Sequence, residues 1–248
     1  MKVIPCAQGS MAWIQAHCGV VSGSYMAHVL DFTKNGTPGS KRKTYLRRKL
    51  GELLTAKALQ QNYVSWEMEQ GSEREPLARA SYEREEQVMV QEIGFALHDS
   101  IPRWGGSVDG LVGDDGFVEI KSPTEGTHAE CILDGVIPED YITQMDSYFS
   151  VTGRLWGDFV SFCPDVPKPL RTMIIRRERD EKAIALIEEQ VQKFNAEVDA
   201  RIEKLRSIVG PFELPAAVQE VEPSAKDFGD LGLSDADGAA FISGKVAI

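Results

Sequence analysis

Two short apolar runs of this sequence, 108–112 and 117–121, carry three charged side chains, namely Asp109, Glu119 and Lys121. Residues 113–116, Gly-Asp-Asp-Gly, form a strong turn signal between two short apolar runs, which predicts a β-hairpin. Side chains alternate along a strand, so Glu119 and Lys121 share one face of the second strand, 117–121. The hairpin is expected to bring Asp109 beside Glu119.

Two carboxylates and a lysine in this arrangement would suit a divalent metal and a scissile phosphate. Mg²⁺ prefers carboxylate oxygens, water and phosphate oxygens in near-octahedral geometry. A lysine on the same face would orient the attacking water or stabilise the transition state electrostatically. The spacing taken alone fits a hairpin with a surface ion pair equally well.

Two predicted helices carry further polar residues of interest. Glu75 lies near the start of a helix predicted for 69–86, which would begin at Pro76 instead if the proline marks its first turn. Composition alone places Glu75 on the surface, among many charged neighbours. In a second helix, 139–151, the apolar residues recur at helical spacing and Gln144 lies off that stripe, which predicts a solvent-facing amide.

The most basic part of the chain is a helix predicted from Lys41 to about Gln61. Within it, the basic residues of one short segment are Lys41, Arg42, Lys43, Arg47, Arg48 and Lys49. Against an acidic background, such a segment favours contact with a DNA backbone. The alternative is a solvated helix face.

The N-terminal region contains a predicted short helix from Trp13 to His17, which Gly19 ends. A second short helix is predicted from Ser24, with Ser22 or Ser24 as its N-cap. The alternative role for Ser24 is to receive a phosphate together with the helix N-terminus. His17 is expected either to pack against Trp13 as a structural residue or to contact that phosphate.

Composition sets the broad class. The 248 residues are 42% hydrophobic, which is enough for a sizeable core, and carry a formal net charge of −11. Net charge argues against a nucleic-acid partner, but it is a global property and a local basic surface matters more. The four cysteines lack CxxC spacing, which disfavours zinc or an iron–sulfur cluster and favours reduced thiols. Without a membrane-spanning run or a signal-peptide pattern, we expect a cytoplasmic protein with no membrane partner.

The element pattern predicts an α/β fold with a mixed central β-sheet flanked by helices. The predicted strands are 88–90, 93–97, 104–111, 117–122, 154–163 and 170–176. An amphipathic helix is predicted for 180–206. From Ser207 the pattern breaks and proline, glycine and acidic residues accumulate, so we predict one domain, 1–206, and an acidic, flexible C-terminal tail, 207–248.

Several motifs occur in a fixed order along the chain. They are Trp13, Gly19-Val20-Val21-Ser22-Gly23-Ser24, the Gly-x-x-x-Glu segment 71–79, Ser-x-Asp-Gly-Leu at 107–111, Glu-Ile-Lys-Ser-Pro at 119–123 and Tyr-x-x-Gln at 141–144. Together they resemble the phage lambda exonuclease family, the YqaJ-like viral recombination nucleases of the PD-(D/E)XK fold, over roughly residues 10–205. Several ordered motifs are far more specific than any one of them.

The resemblance implies a restriction-endonuclease-like fold and a metal-dependent, ATP-independent 5′→3′ exonuclease. Such an enzyme degrades one strand of linear double-stranded DNA and leaves 3′ single-stranded overhangs, with Mg²⁺ or alternatively Mn²⁺ as cofactor. By match, the catalytic residues are Glu75, Asp109, Glu119, Lys121 and Gln144, the metal ligands are Asp109, Glu119 and the carbonyl of Ile120, and the phosphate contacts are His17, Ser24 and Ser107. The basic residues Lys41, Arg42, Lys43, Arg47 and Arg48 are the predicted DNA contacts.

The resemblance also implies partners: double-stranded DNA ends, a single-strand annealing recombination protein and further copies of the chain in a trimeric ring. The implied location is the bacterial host cytoplasm if the protein is phage-encoded.

The sequence departs from the family prototype where that protein has arginines, at the position of His17 and near Thr127. An arginine binds a phosphate bidentately, which neutral histidine or threonine does not. A protonated His17 would replace it in part and would make binding pH-sensitive. A preference for 5′-phosphate ends is therefore not implied.

Alternative functions remain open at this level. One is a nicking or restriction-type endonuclease, which uses the same site with different access. Another is a catalytically inactive DNA-end-binding module, although a dead relative would be free to lose Asp109, Glu119 or Lys121. An iron–sulfur nuclease of the same core needs clustered cysteines near the C-terminus, and none lies beyond Cys163.

Overall fold

The computed structural model describes residues 1–58 and 66–215, with the side chains of residues 66–70 and 72 excepted. Its strands are β1 (Lys2–Ile4), β2 (Val21–Ser22), β3 (Val90–Gln91), β4 (Phe95–Leu97), β5 (Trp104–Gly106), β6 (Gly110–Val112), β7 (Gly116–Lys121), β8 (Trp156–Phe162) and β9 (Thr172–Glu178). Its α-helices are α1 (Met11–Ala16), α2 (Met26–Val29), α3 (Ser40–Thr55), α4 (Trp66–Glu86), α5 (Glu125–Asp134), α6 (Glu139–Thr152) and α7 (Glu181–Val209). Among these helices, none combines the length and the apolar character that a membrane crossing requires.

The predicted α/β class is confirmed, with the strands arranged in two mixed sheets. The described residues form two compact units. Unit 1 comprises residues 1–58, 93–107 and 189–215, and unit 2 comprises residues 66–92 and 108–188.

Unit 1 contains a four-stranded sheet in the order β1-β4-β5-β2. Strands β1, β4 and β5 are antiparallel neighbours, whereas β2 runs parallel to β5 with Ser22 opposite Gly105. Its apolar cluster comprises Cys6, Ala12, Val20 and Phe95, with Trp13 packed against it. Ser10 caps α1 by accepting a hydrogen bond from the Trp13 N–H at 3.1 Å.

Unit 2 is built on a five-stranded sheet in the order β3-β6-β7-β8-β9. Strands β6 and β7 form the predicted hairpin, with Val112 opposite Gly116. Because β7 is central, its residues from Gly116 to Ile120 are all buried. Helix α4 covers one face, where Ala78 and Tyr82 pack with Val118 and Ile120.

The other face of β7 lies against α6, where the Phe117 ring packs on Phe149 with centroids 4.9 Å apart. Strands β7 and β8 are parallel, so the chain must cross back between them, and α5 and α6 supply that crossover. Gly157 on β8 makes room for the Phe117 ring, since a Cβ there would lie 2.4 Å from the ring. The absence of a side chain at Gly157 therefore permits the contact between Phe117 of β7 and Phe149 of α6.

Local patterns and the structure differ at several boundaries. Helix α3 ends at Thr55 with Ala56 in the left-handed conformation, earlier than predicted, and α4 already begins at Trp66, with Pro76 inside it. The strand predicted for 104–111 is two strands in different sheets. Helix α5 was not predicted. The tail beyond residue 215 lies outside the described residues, so the boundary at 206/207 stays a prediction, and α7 continues to Val209.

Candidate active site

The central strand of unit 2 carries a buried carboxylate. The Glu119 side chain is 1% exposed, and that of Lys121, on the same face, is 27% exposed. The Lys121 ammonium donates a hydrogen bond to Oε1 of Glu119 and lies 5.4 Å from the centre of the Tyr141 ring. A carboxylate in the middle of a sheet is costly unless it is paired, and the predicted alternation of β7 places the paired lysine where it is needed.

Helix α6 brings Gln144 onto the same carboxylate. Its Nε2 donates to Oε1 of Glu119 at 2.6 Å and to the Tyr148 hydroxyl at 2.9 Å. Gln144 is buried, so the alternative of a solvent-facing amide, which rested on helical periodicity, is wrong. Its contact with Glu119 agrees instead with the position that the family resemblance implies. One side-chain amide therefore fixes Glu119 relative to α6.

The β6–β7 hairpin places Asp109 next to Glu119, as predicted. Asp109 immediately precedes β6, where Gly110 pairs with Val118. Its Oδ2 accepts a hydrogen bond of 2.6 Å from the Ile120 N–H. The carboxylate is thus tied to the backbone of the strand that carries Glu119 and Lys121.

Glu75 lies on α4 and interacts electrostatically with this cluster. Burial raises the pKa of Glu75, and the negative charge of Asp109 raises it further. The Arg79 guanidinium donates to Oε1 of Glu75 at 2.6 Å and lowers that pKa. The structure therefore groups the five residues that the sequence predicts as catalytic: Glu75, Asp109, Glu119, Lys121 and Gln144.

The protonation of the cluster reflects first its burial and then its negative charge. Burial, followed by the charge of Asp109, raises the pKa of Glu119 to about 8, although Lys121 opposes this shift. Burial likewise raises the pKa of Asp109. For Lys121, burial lowers the pKa, but Glu119 and Asp109 raise it more, so the ammonium stays charged. A divalent cation would offset the repulsion among these carboxylates.

The donor atoms fit a hard divalent metal. Oε1 of Glu119 accepts two hydrogen bonds, whereas its Oε2 is buried and has no hydrogen-bond partner. Buried carboxylate oxygens are normally bonded, and an orphan of this kind requires an explanation. Asp109, Glu119 and the carbonyl of Ile120 offer the oxygen ligands that Mg²⁺ and Mn²⁺ prefer.

A different set of potential metal ligands lies close together in unit 2. Among the described residues, the ligand atoms of Glu125, Cys163 and Asp165 lie within 4.8 Å of one another, a grouping that the sequence did not suggest. Glu125 and Asp165 are exposed, and Asp165 already pairs with Arg74 at 2.6 Å. This set lacks the orphan buried oxygen that distinguishes Glu119.

The predicted phosphate contacts lie in unit 1. Ser24 and Ser107 each follow the paired residues Ser22 and Gly105 by two positions, at the carboxyl end of the parallel pair β2–β5. The Ser24 hydroxyl lies 3.1 Å from that of Ser22 and caps no helix, and the Ser107 hydroxyl accepts a 2.7 Å hydrogen bond from the Trp13 indole. The Ser107 hydroxyl keeps its proton to donate to a ligand, and the Ser24 hydroxyl does so when Ser22 is the donor of their hydrogen bond.

His17 does not fit the role of a phosphate ligand. Its ring packs between Trp13 and Phe95, and burial lowers its pKa to about 4, so it is neutral at pH 7. Its Nδ1 lies 2.8 Å from the carbonyl oxygen of Trp13, which only accepts, so Nδ1 carries the proton and Nε2 is an acceptor. The structural role is the one that the contacts support.

The basic residues of α3 divide into two groups. Lys41, Lys43 and Arg47 are exposed. In contrast, Arg42 is 1% exposed and bonds to Glu197 at 2.6 Å, and the Arg48 guanidinium bonds to Glu52 at 2.9 Å. The prediction that Arg42 contacts DNA is therefore at odds with its burial, because the helix turns this side chain towards the interior of unit 1.

Sequence reasoning missed two polar side chains around the site. Tyr148 bonds to Gln144, and Arg79 bonds to Glu75. Each lies four residues after its partner on the same helix face, a spacing that would have predicted both contacts.

The chain is similar to known proteins in sequence and in fold. A family model described as the YqaJ-like viral recombinase domain matches residues 12–155. Two crystal structures of LHK-Exo, an alkaline exonuclease from Laribacter hongkongensis, one of them in complex with dAMP, are each 38% identical to the chain, with a TM-score of 0.74. Each alignment covers 80% of this chain and 97% of LHK-Exo. A phage-related exonuclease from Haemophilus somnus 129PT shares the fold at 14% identity, with a TM-score of 0.59 over 75% of this chain and 96% of its own. No curated protein sequence matches significantly.

Proposed function

This chain belongs to the YqaJ-like viral recombinase family, and from that membership we propose that it is a Mg²⁺-dependent 5′→3′ exonuclease of linear double-stranded DNA. The coarser assignment, a nuclease of the exonuclease type, follows from the family and from the likeness to LHK-Exo. The proposal adds the metal, the polarity and the duplex substrate, and it assigns the 3′ single-stranded overhangs to recombination.

One observation carries the proposal. Glu119 is held by Lys121 and Gln144 on one oxygen, while its other oxygen is buried without a hydrogen-bond partner. A site built only for stability would satisfy both oxygens. The arrangement instead leaves a fixed, desolvated carboxylate oxygen that suits a metal ligand.

The residues have separable roles in this proposal. Asp109, Glu119 and the Ile120 carbonyl would hold Mg²⁺, or Mn²⁺ in its place. When bound, such a metal neutralises charge on the scissile phosphate and lowers the pKa of the attacking water. Lys121 supplies a fixed positive charge next to the reacting phosphate. Gln144 holds Glu119 in place, and its side-chain carbonyl is left to orient the attacking water.

The DNA contacts that we propose lie in unit 1. The hydroxyl groups of Ser24 and Ser107 would bind the terminal phosphate, and Lys41, Lys43 and Arg47 would contact the backbone. Because His17 is neutral and its Nε2 cannot donate, we expect a weaker preference for a 5′-phosphate over a 5′-hydroxyl than an arginine would give. A single-strand annealing protein and a homotrimeric ring are the partners that the family membership favours.

Digestion of linear duplex DNA labelled at one 5′ end tests the proposal. The substrates carry a 5′-phosphate or a 5′-hydroxyl, with and without Mg²⁺, and covalently closed circular DNA is the control. We expect Mg²⁺-dependent release of mononucleotides from the 5′ end while the circle stays intact. Cut circles would instead identify an endonuclease, and DNA binding without cleavage under any metal would identify an inactive end-binding module.

A further inference from the structure

The Arg79 side chain bridges two carboxylates at the edge of the candidate active site. One terminal nitrogen donates a hydrogen bond to Oε1 of Glu75 at 2.6 Å, and the other forms an ion pair with Oε1 of Glu92 at 2.5 Å. The arginine side chain is 14% exposed, whereas those of Glu75 and Glu92 are 34% and 55% exposed. The Arg79 guanidinium is thus the least exposed of the three charged groups, and both carboxylates contact it.

The bridge joins two different elements of unit 2. Glu75 and Arg79 lie one turn apart on α4, and Glu92 directly follows β3. A single helical pair leaves both long side chains free to rotate, whereas a guanidinium that contacts a carboxylate with each terminal nitrogen is more restricted. Glu75 accordingly has one oxygen fixed, and its second oxygen accepts no hydrogen bond from the described residues.

The charges around the cluster point to the same role. Glu75 and Glu119 each face the negative charge of Asp109. Two cations balance this set, with Lys121 acting on Glu119 and Asp109 and Arg79 acting on Glu75 and Asp109. Arg79 on α4 therefore has the same electrostatic role towards Glu75 and Asp109 as Lys121 on β7 has towards Glu119 and Asp109.

We propose that Arg79 is a positioning residue that holds one oxygen of Glu75, with Glu92 as the second contact of the guanidinium. The other oxygen of Glu75 is thereby kept available to the metal that Asp109 and Glu119 would hold. The inference rests on the proposed function, because it concerns the same site. It assigns to Arg79 a contribution to metal affinity and to turnover, and none to DNA affinity.

The chain offers a matched control for this proposal. Arg74 lies on the same helix, is 15% exposed and pairs with a single carboxylate, Asp165, at 2.6 Å. An Arg74→Gln variant loses a comparable ion pair without touching Glu75. It therefore reports what the loss of one such arginine outside the Asp109–Glu119 cluster does to folding and to Mn²⁺ binding.

The experiment measures Mn²⁺ binding to the metal-free full-length protein by calorimetry, together with kcat and KM on linear duplex DNA. For Arg79→Gln we expect Mn²⁺ affinity to fall by about tenfold, as is typical when a group that orients a metal ligand is lost. The kcat should fall at fixed metal and recover in part at high metal, with KM for DNA unchanged. Arg79→Lys should recover part of the affinity, since an ammonium lacks the planar fork, and Glu92→Gln should show a smaller loss.

Wild-type Mn²⁺ affinity in Arg79→Gln, or equal losses in Arg79→Gln and Arg74→Gln, would overturn the proposal. If Arg79→Gln does not fold, Arg79→Lys and Glu92→Gln decide: unchanged Mn²⁺ affinity in both rejects the positioning role. The binding measurement is independent of cleavage. A wild-type protein that binds Mn²⁺ but cuts no DNA would therefore reject the nuclease function while leaving the role of Arg79 to be judged by affinity.

Discussion

Two buried glutamates, one in each unit, differ in how their oxygens are satisfied. In unit 1, Glu52 accepts from Arg48 on one oxygen and from Lys49 and the Gly19 N–H on the other, at 2.7–2.9 Å. In unit 2, Glu119 accepts two hydrogen bonds on one oxygen and none on the other. Both are almost fully buried and both have a lysine nearby. Burial and pairing alone therefore do not separate the two carboxylates, whereas the unsatisfied oxygen sets Glu119 apart as the candidate metal ligand.

The same substitution, Glu to Gln, should affect catalysis at position 119 and stability at position 52. Glu119→Gln should lower the rate of DNA cleavage by about 10³-fold or more, because it removes a metal ligand while the side-chain volume is kept. Lys121→Ala should have a similar effect. Rates on labelled linear duplex, with circular dichroism to confirm folding, check this expectation. Retained cleavage by a pure, folded Lys121→Ala sample would refute the assignment of the lysine.

Glu52→Gln should instead act on stability. The change leaves the buried ammonium of Lys49 and the guanidinium of Arg48 without their carboxylate, and loss of one partner from a buried ion pair typically costs about 3–5 kcal/mol. Urea denaturation measures the free energy of unfolding directly. A wild-type midpoint in Glu52→Gln would show that this closed cluster does not contribute to the stability of unit 1.

The metal-free protein should lose stability with rising pH because of Glu119. Its folded-state pKa of about 8 lies above the unfolded value of 4.5. The folded state therefore binds this proton more tightly, so its stabilising contribution is complete below pH 4.5 and is lost as the pH rises through 8. The expected change is on the order of a few kcal/mol. Thermal melts from pH 5 to 9 should show the slope in the wild type and a smaller one in Glu119→Gln.

Mg²⁺ should reverse that loss, since metal binding requires the deprotonated carboxylate. The increase in Tm on adding Mg²⁺ should be larger at pH 9 than at pH 6. An increase that does not depend on pH would place the bound metal elsewhere.

The smallest effect concerns the surface of α3. Replacing Lys41, Lys43 and Arg47 with Gln should weaken DNA binding and flatten its salt dependence, by up to about three units of log–log slope if each contacts a phosphate. Lys193→Gln, an exposed change on α7, is the control. An unchanged slope would reject this surface as a DNA contact.

The sequence predicts those features of the site that depend on local pattern. Alternation along β7 and the turn at 113–116 are enough to place Asp109, Glu119 and Lys121 together. The start and end of α6 are likewise local, since Pro138 precedes the helix and Gly153 adopts the left-handed conformation after it. Features set by tertiary contacts were not predictable: the burial of Arg42 depends on Glu197, which is distant in sequence.

Two further differences have the same origin. The strand predicted for 104–111 breaks because Trp104 and Gly110 pair with strands of different sheets, which no local pattern reveals. Gln144 looks polar and exposed on a helical wheel, yet its partners are Glu119 on the sheet and Tyr148 one turn along. Family motifs supplied its expected position where periodicity did not.

Gly157 gives the site a sensitivity that no charge explains. The Phe117 ring occupies the space above this glycine and packs in turn on α6, the helix that delivers Gln144 to Glu119. One added methyl group would displace the ring, and the displacement would reach the amide that holds the carboxylate. In a mutational scan scored by cleavage, Gly157 would thus behave as an active-site position although it carries no functional group. The loss of cleavage at this position would follow the volume of the substituted side chain.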